Sequence, residues 1–345
     1  MFLKKYEPRI GLYEITLRCN MRCIHCGSSA GKNRINELTT EEWNNVTKQL
    51  AYLNCKEITI LGGEPFLRKD WYEISKEINK YGIKITYITN GLLIDNKTIE
   101  KLKKINPKAV AISIDGAKKE THEKIRRVKG SYNKCFEVIS NLQKAGINTT
   151  VVTSINKLNF QEIPALRNLL INKGIVWQLQ IAIPLGRFKK ELLLTKKEFY
   201  AAALFIASTR TKYSTKELPI IGSHCFGYYS KKLRNAMVFP WHGCQAGIST
   251  IGIQSNGEIK GCLSLPSELT EGNIRKNSIA EIWTGPNFCS YNRNFKQSDL
   301  TNNCVDCKFG KKCRGGCMSV SLGITGKSNG DPYCLNLIEN SFSKI

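Results

Sequence analysis

The sequence predicts an α/β fold, a partial parallel (β/α)6 TIM-like barrel, followed by a small cysteine-rich domain organised by metal. Three observations lead there. From residue 11 to about 184, short β-rich runs alternate with longer segments of helical period. Glycines stand where those helices should end. From Cys244 onward the chain becomes turn-rich and dense in cysteine.

Strands are expected at Leu12–Leu17, Glu57–Leu61, Lys84–Thr89, Ala109–Ile114, Thr149–Ile155 and Trp177–Ile183. Several are apolar at consecutive positions, as parallel strands covered on both faces should be. Thr39 with Glu42 predicts a capping box at the first helix, and Asn159 with Glu162 imitates one at the fifth. Gly82, Gly146 and Gly174 fall at C′ positions, where a left-handed residue ends a helix. A sixth helix is predicted over about Thr195–Tyr213, and Gln254–Gly261 reads as a hairpin around Asn256-Gly257. The expected division is a barrel over 1–190, a helix and linker over 191–240, and a metal-organised domain over 241–345.

With 345 residues, 41% hydrophobic and 23% charged, the chain can bury a large core, which excludes disordered, collagen-like and coiled-coil classes. The basic N-terminus has no apolar run behind it. The longest apolar runs, Ala109–Ile114 and Ala201–Ala207, are too short to span a bilayer, so a cytoplasmic protein is expected. Fourteen cysteines in such a chain argue for metal ligation rather than a disulfide framework, because the cytosol keeps thiols reduced.

The first chemical constellation is Cys19-x3-Cys23-x2-Cys26, directly after the first predicted strand. Three thiolates in eight residues can surround one soft metal centre and leave a coordination position free. A zinc knuckle is the structural alternative. The second is Gly62-Gly63-Glu64-Pro65 at the C-terminal end of the second strand, where glycines let a ligand approach the backbone and where parallel α/β barrels place their sites. Alone, it is also an ordinary strand-to-helix turn.

Together, CNMRCIHC and GGEP resemble the motifs of the radical S-adenosylmethionine superfamily. The resemblance implies a four-iron cluster on Cys19, Cys23 and Cys26, and a cofactor amino group held at Gly62, Gly63, Glu64 and Pro65. It further implies S-adenosylmethionine contacts from Ser113 and Asp115 of the SxDG segment, from Asn156, and from Gly186 with Arg187. An Asp-Gly turn, a helix cap at Asn156 and a surface role for Arg187 are the structural alternatives. Arg126 and Arg127 are candidates for the methionine carboxylate, since Arg suits bidentate carboxylate recognition. At least one of them belongs to an exposed basic loop on the same reading.

The third constellation is Cys244-x12-Gly257-x4-Cys262, then Cys304-x2-Cys307-x5-Cys313-x3-Cys317-x16-Cys334. It resembles the SPASM extension of peptide-modifying radical enzymes at all seven cysteines. The resemblance implies two auxiliary four-iron clusters, the first on Cys244, Cys262 and Cys317, the second on Cys304, Cys307, Cys313 and Cys334. Two thiolate-ligated cubanes need eight ligands. Cys225 is the candidate eighth, because Cys55 and Cys135 fall in the barrel repeats away from the rim and Cys289 lies downstream of the first motif. His242, an acidic residue or an open iron are the alternatives. A pair of zinc ribbons would use the same residue types.

The implied chemistry is reductive cleavage of S-adenosylmethionine to a 5′-deoxyadenosyl radical, followed by oxidative modification, a cross-link first of all, of a ribosomally made peptide. Oxidation of a protein Ser or Cys, or of a small metabolite, are alternatives within the superfamily. A flavodoxin- or ferredoxin-type electron donor is implied. Because only about ten residues precede the first strand, peptide recognition is expected from a separate protein or from the SPASM surface. The formal charge of +24 falls to roughly +19 once cluster thiolates are counted. It would suit an acidic leader peptide. Lys and Arg are spread without a concentrated stripe, so a solvated surface is favoured over a metal-binding protein that grips nucleic acid.

Overall fold

Short β-branched runs become strands here because each finds a parallel neighbour and a covering helix. The computed structural model describes residues 6–342 apart from 227–229, 231, 234, 235 and 237–240. The strands are β1 (Ile10–Glu14), β2 (Glu57–Leu61), β3 (Lys84–Thr89), β4 (Ala109–Ser113), β5 (Thr149–Ile155), β6 (Val176–Ile181), β7 (Ile220–Gly222), β8 (Thr250–Ile253), β9 (Glu258–Lys260) and β10 (Gly272–Asn273). The helices that position the site are α1 (Thr40–Tyr52), α2 (Trp71–Lys80), α3 (Asn96–Ile105), α4 (Lys119–Arg126), α5 (Ser131–Lys144), α6 (Ile163–Leu170), α7 (Lys196–Lys212) and α8 (Ile279–Thr284).

All described strands form one sheet in the order β10-β9-β8-β1-β2-β3-β4-β5-β6-β7. The six expected β-α units are present, with α4 and α5 both following β4. Two further parallel pairings extend them: β7 adds to β6, and β8 adds to β1, with Ile10 opposite Thr250 and Tyr13 opposite Ile253. The C-terminal segment is therefore joined to the barrel through the sheet itself. β8 and β9 form the expected antiparallel hairpin, and Gly257 takes φ +86° in its turn.

Burial follows the pairing. On β4 and β5 consecutive residues are buried, as expected, but β2, β3 and β6 alternate. Their buried residues, Ile58, Ile60, Ile85, Tyr87, Trp177 and Leu179, belong to the main core. The intervening Thr59, Thr86, Gln178 and Gln180 are half-buried. One face of the sheet is thus polar and incompletely filled, the condition a barrel needs to admit a substrate.

Several local signals hold, one of them alongside a distant partner, since Glu42 also pairs with Arg275. Thr39 and Glu42 form the expected reciprocal capping box on α1, worth about 1 kcal/mol for such a cap. Gly82, Gly146 and Gly174 take φ of +68°, +74° and +63°. The Asn159–Glu162 box does not form. Asn159 instead accepts from Asn156 N and donates to the carbonyls of Asp115 and Ser154, while Glu162 accepts from Ala117 N and Lys118 N. Both side chains are taken by the loop after β4, whose buried backbone must be satisfied.

Candidate active site

Cys19, Cys23 and Cys26 lie on the loop after β1, and the loops after β2 and β6 shape it. Gly62 and Gly63, after β2, lie against the backbone of Thr16, Leu17 and Arg18. A Cβ on either would collide with those carbonyls, and Gly63 N donates to Thr16 O at 2.8 Å. The two glycines therefore admit the backbone that leads from β1 into the cysteine loop, a tighter requirement than the ligand approach expected from sequence. After β6, Gly186 at φ +58° lies against the carbonyls of Cys26 and Gly27. Arg187 donates from Nε to Cys23 O at 3.0 Å and from Nη1 to Ala30 O at 2.8 Å. Arg187 braces the cysteine loop from across the sheet.

The three thiols share one neighbourhood. Burial pushes the Cys19 thiol up to about 11, and the charges of Glu64, Cys23 and Cys26 add to that. Backbone N–H groups of Met21 and Ala30 already point at Cys19 Sγ and Cys26 Sγ, each at 3.4 Å. Donors aimed at sulfur favour thiolates. Among the described residues no three His, Cys, Asp or Glu side chains are grouped closely enough to grip a single metal ion. Ligands of one four-iron cluster each bind a different iron and need no such grouping. A soft, three-thiolate donor set with N–H groups around it fits an iron–sulfur cluster.

Glu64 is wholly buried and accepts from Thr89 Oγ1 at 2.7 Å, Asn90 N at 2.8 Å and Phe66 N at 3.3 Å. Burial outweighs these donors and raises its carboxyl to about 7. A buried carboxylate beside the thiols is a natural seat for a cationic amine. Pro65 follows it at the start of a single 3-10 turn.

The remaining rim residues divide. Ser113 ends β4 and is buried. Asp115 is wholly buried in an ion pair with Arg126, with His25 beside it. Asn156 closes its own turn, with Oδ1 accepting from Leu158 N and Nδ2 donating to Ser154 O. Arg127 is the exposed, left-handed residue that ends α4. His25 and Arg126 are set beside the cysteine loop, Arg126 Nη1 reaching Cys23 Sγ at 3.8 Å, a position the sequence reading does not give them. The placement of His25 between two expected ligands was the available signal.

In the C-terminal domain, Cys304, Cys307, Cys313 and Cys334 line one pocket together with Gly310, Gly315, Gly316 and Asp331. Burial pushes Cys304 and Cys313 up to about 12 and Cys334 to about 11, and the charge of Cys334 adds to the first two. Four thiols around one apolar-walled cavity fit a closed cluster site. Cys244, Cys262 and Cys317 form a second group: Cys244 senses Cys262, and Cys317 senses Cys244. Cys317 caps the helix Met318–Thr325, whose first-turn N–H groups favour a thiolate. Cys317 also packs beside Cys313 and Cys334, so it stands between the two groups.

Cys225 has a buried Sγ that accepts from Ile181 N at 3.4 Å, at the end of β6, and it feels the charge of Asp331, as Cys317 does. His242 is exposed. Cys289, set aside by spacing, is fully buried at φ +48° beside Gly247 and Gly261, where it accepts from Tyr291 Oη at 3.4 Å. Cys135 reaches under the rim, donating to the Asn90 and Ser113 carbonyls, whereas the sequence placed it far away. Cys55 donates to Glu57 O at the start of β2.

A family model of the radical SAM superfamily matches residues 13–170, and one of an iron–sulfur cluster-binding domain, SPASM, matches 244–308. The chain is 31% identical over 308 residues to the Fe-coproporphyrin III synthase of Methanosarcina barkeri, covering 82% of this chain and 75% of the relative. It is 26% identical over 341 residues to the AdoMet-dependent heme synthase of the same organism, 95% of this chain and 96% of that one. It is also 26% identical over 339 residues to the PqqA peptide cyclase of Rhizobium meliloti, 95% and 87% respectively. In fold it resembles Streptococcus suis SuiB bound to precursor peptide SuiA, with TM-score 0.79 and 20% identity over 95% of this chain and 76% of that one. No described helix is long and apolar enough to cross a membrane. With the cysteine triad, the GGEP rim and both auxiliary thiol groups in place, the chain belongs to the radical SAM superfamily, as an enzyme with a C-terminal SPASM domain.

Proposed function

We propose that this enzyme oxidatively modifies a ribosomally made peptide, forming a cross-link or another change at an unactivated carbon. What supports the reading is the pair of thiol groups in the C-terminal domain, whose seven-cysteine pattern resembles that of peptide-modifying radical enzymes, and the similarity of the chain to PqqA peptide cyclase. When bound, a four-iron cluster on Cys19, Cys23 and Cys26 supplies the electron that converts S-adenosylmethionine into a 5′-deoxyadenosyl radical. Glu64 would hold the cofactor's amino group, and Arg187 keeps the cysteine loop closed. The half-buried polar face of the sheet receives the substrate. We read three clusters in all, the first auxiliary one held by Cys244, Cys262 and Cys317 with its fourth position supplied by something other than Cys225. The division at residues 190 and 240, a separate peptide-recognition partner and a flavodoxin- or ferredoxin-type donor belong to the same reading.

A second reading has its own support. The relative at 31% identity is named an Fe-coproporphyrin III synthase, and a net charge of +24 suits a carboxylate-bearing tetrapyrrole as well as an acidic leader. One experiment separates them. Anaerobically reconstituted protein, given S-adenosylmethionine and dithionite, is offered a peptide encoded beside its gene or an iron coproporphyrin. The peptide reading expects 5′-deoxyadenosine formation with loss of two hydrogens from the peptide. Turnover of the tetrapyrrole with an unchanged peptide replaces it with the second.

A further inference from the structure

Four buried polar atoms near the cysteine loop have no hydrogen-bond partner: Arg126 Nε, His25 Nδ1, Asp115 Oδ2 and His122 Nε2. All four side chains belong to one knot of charge under that loop. Asp115 Oδ2 makes an ion pair with Arg126 Nη2 at 2.6 Å and stands 3.4 Å from His25 Nε2. Its other oxygen accepts from Ser154 N at 2.8 Å, while its own N–H donates to His122 Nδ1 at 3.2 Å. Asn159 Nδ2 holds its carbonyl at 3.0 Å. Tied at side chain and backbone, Asp115 cannot swing away, so the guanidinium it grips is fixed as well. The remaining fork of that guanidinium, Nη1, points at Cys23 Sγ from 3.8 Å. Ile24 N, donating to Ile125 O at 3.0 Å, keeps the cysteine loop against the last turn of α4.

We propose that Arg126, anchored by Asp115, donates a charge-assisted hydrogen bond to the Cys23 thiolate and thereby raises the reduction potential of the cluster that Cys19, Cys23 and Cys26 hold. Taking up one electron makes the cluster more negative by one charge, and a cationic donor at a ligating sulfur stabilises that state more than the oxidised one. No proton moves in this step. Asp115 opposes the effect, but it lies behind the guanidinium. Of the two charges, Arg126 acts on the Cys23 sulfur more strongly. Distance decides the sign. The inference concerns the electron-accepting step and is independent of which substrate follows.

The test is a redox titration of reconstituted full-length protein without S-adenosylmethionine, reading the electron paramagnetic signal that disappears when Cys19, Cys23 and Cys26 are all replaced. Arg126→Gln should make this cluster about tenfold harder to reduce, a midpoint lower by ~59 mV for a one-electron couple. Arg126→Lys, which keeps charge but loses the fork, should fall between it and the parent. Asp115→Asn should move the midpoint the opposite way, because the arginine's charge is then unopposed. Structural damage alone would move both variants in one direction. The proposal is overturned if Arg126→Gln and Asp115→Asn shift alike, or if Arg126→Gln and Arg126→Lys shift equally. An unchanged midpoint in Arg126→Gln also overturns it, and weakened cofactor binding there would assign the arginine to the cofactor's carboxylate alone.

Discussion

Replacing Arg187 with Ala separates two roles for this residue, contact with the cofactor and support of the cluster loop. The substitution removes the bonds from Nε to Cys23 O and from Nη1 to Ala30 O, while the backbone bond from Arg187 N to Cys26 O, at 3.1 Å, survives. A hydrogen bond from a charged donor contributes about 1.5–3 kcal/mol when buried. Arg187 is only half-buried, so about 1 kcal/mol each is the better figure, or about 2 kcal/mol for the pair. That increase raises the population of the opened loop about thirtyfold, at tenfold per 1.4 kcal/mol. Iron leaves a cluster through such openings, so its loss follows their population when reclosing is fast. The assay is the rate at which an iron chelator erases the paramagnetic signal of the radical cluster, identified by its change on adding S-adenosylmethionine. Loss about thirtyfold faster is expected, with Arg187→Lys between the two. An unchanged cluster lifetime combined with weaker cofactor binding would refute the brace and restore the adenine or ribose contact expected from sequence.

Three further outcomes are expected. Reconstituted protein should bind about twelve irons, and replacing Cys19, Cys23 and Cys26 together by Ala should remove about a third of them, with all S-adenosylmethionine cleavage. Iron analysis and 5′-deoxyadenosine measurement check this, and surviving cleavage would break the assignment. Cys225→Ala should leave iron content and the auxiliary spectra unchanged while costing about 1–3 kcal/mol of stability, because Ile181 N loses its acceptor; a lost auxiliary signal would make Cys225 a ligand after all. Glu64 holds its proton more tightly folded, to about 7, than unfolded, at the ordinary 4.5. The fold therefore loses about 3 kcal/mol as pH rises between those values. Denaturation of the cluster-free protein against pH should show that slope, and Glu64→Gln should flatten it.

The parts legible from sequence are those set by neighbours a few residues away. β2, β3 and β5 run as expected because an apolar run has only one extended register, and Gly82, Gly146 and Gly174 take the left-handed conformations their positions require. Thr39 finds Glu42 three residues on. β1 shifts from Leu12–Leu17 to Ile10–Glu14 for a non-local reason. Its ladder spans the stretch where both β2 and β8 lie beside it, and beyond Glu14 the backbone groups of Thr16 and Leu17 turn to Gly63 and Glu37.

The sequence by itself determined the chemistry: which cysteines could act together, in three sets whose spacing is a property of the chain, and the order of β-α units that carries them to the rim. Tertiary structure decided what each remaining polar group does. Arg126 stands 103 residues from Cys23, Arg187 stands 164 from it, and Ser255 stands 241 from the buried Glu14 that accepts from it. No short-range pattern encodes such meetings. They follow from sheet pairing, since β6 brings Arg187, and β8 brings Ser255, to the rim where β1 delivers the cysteine loop. The same pairing sets Cys225 against Ile181 at the end of β6. Burial then favours a partner for most polar groups at the rim, with the knot around Asp115 the exception.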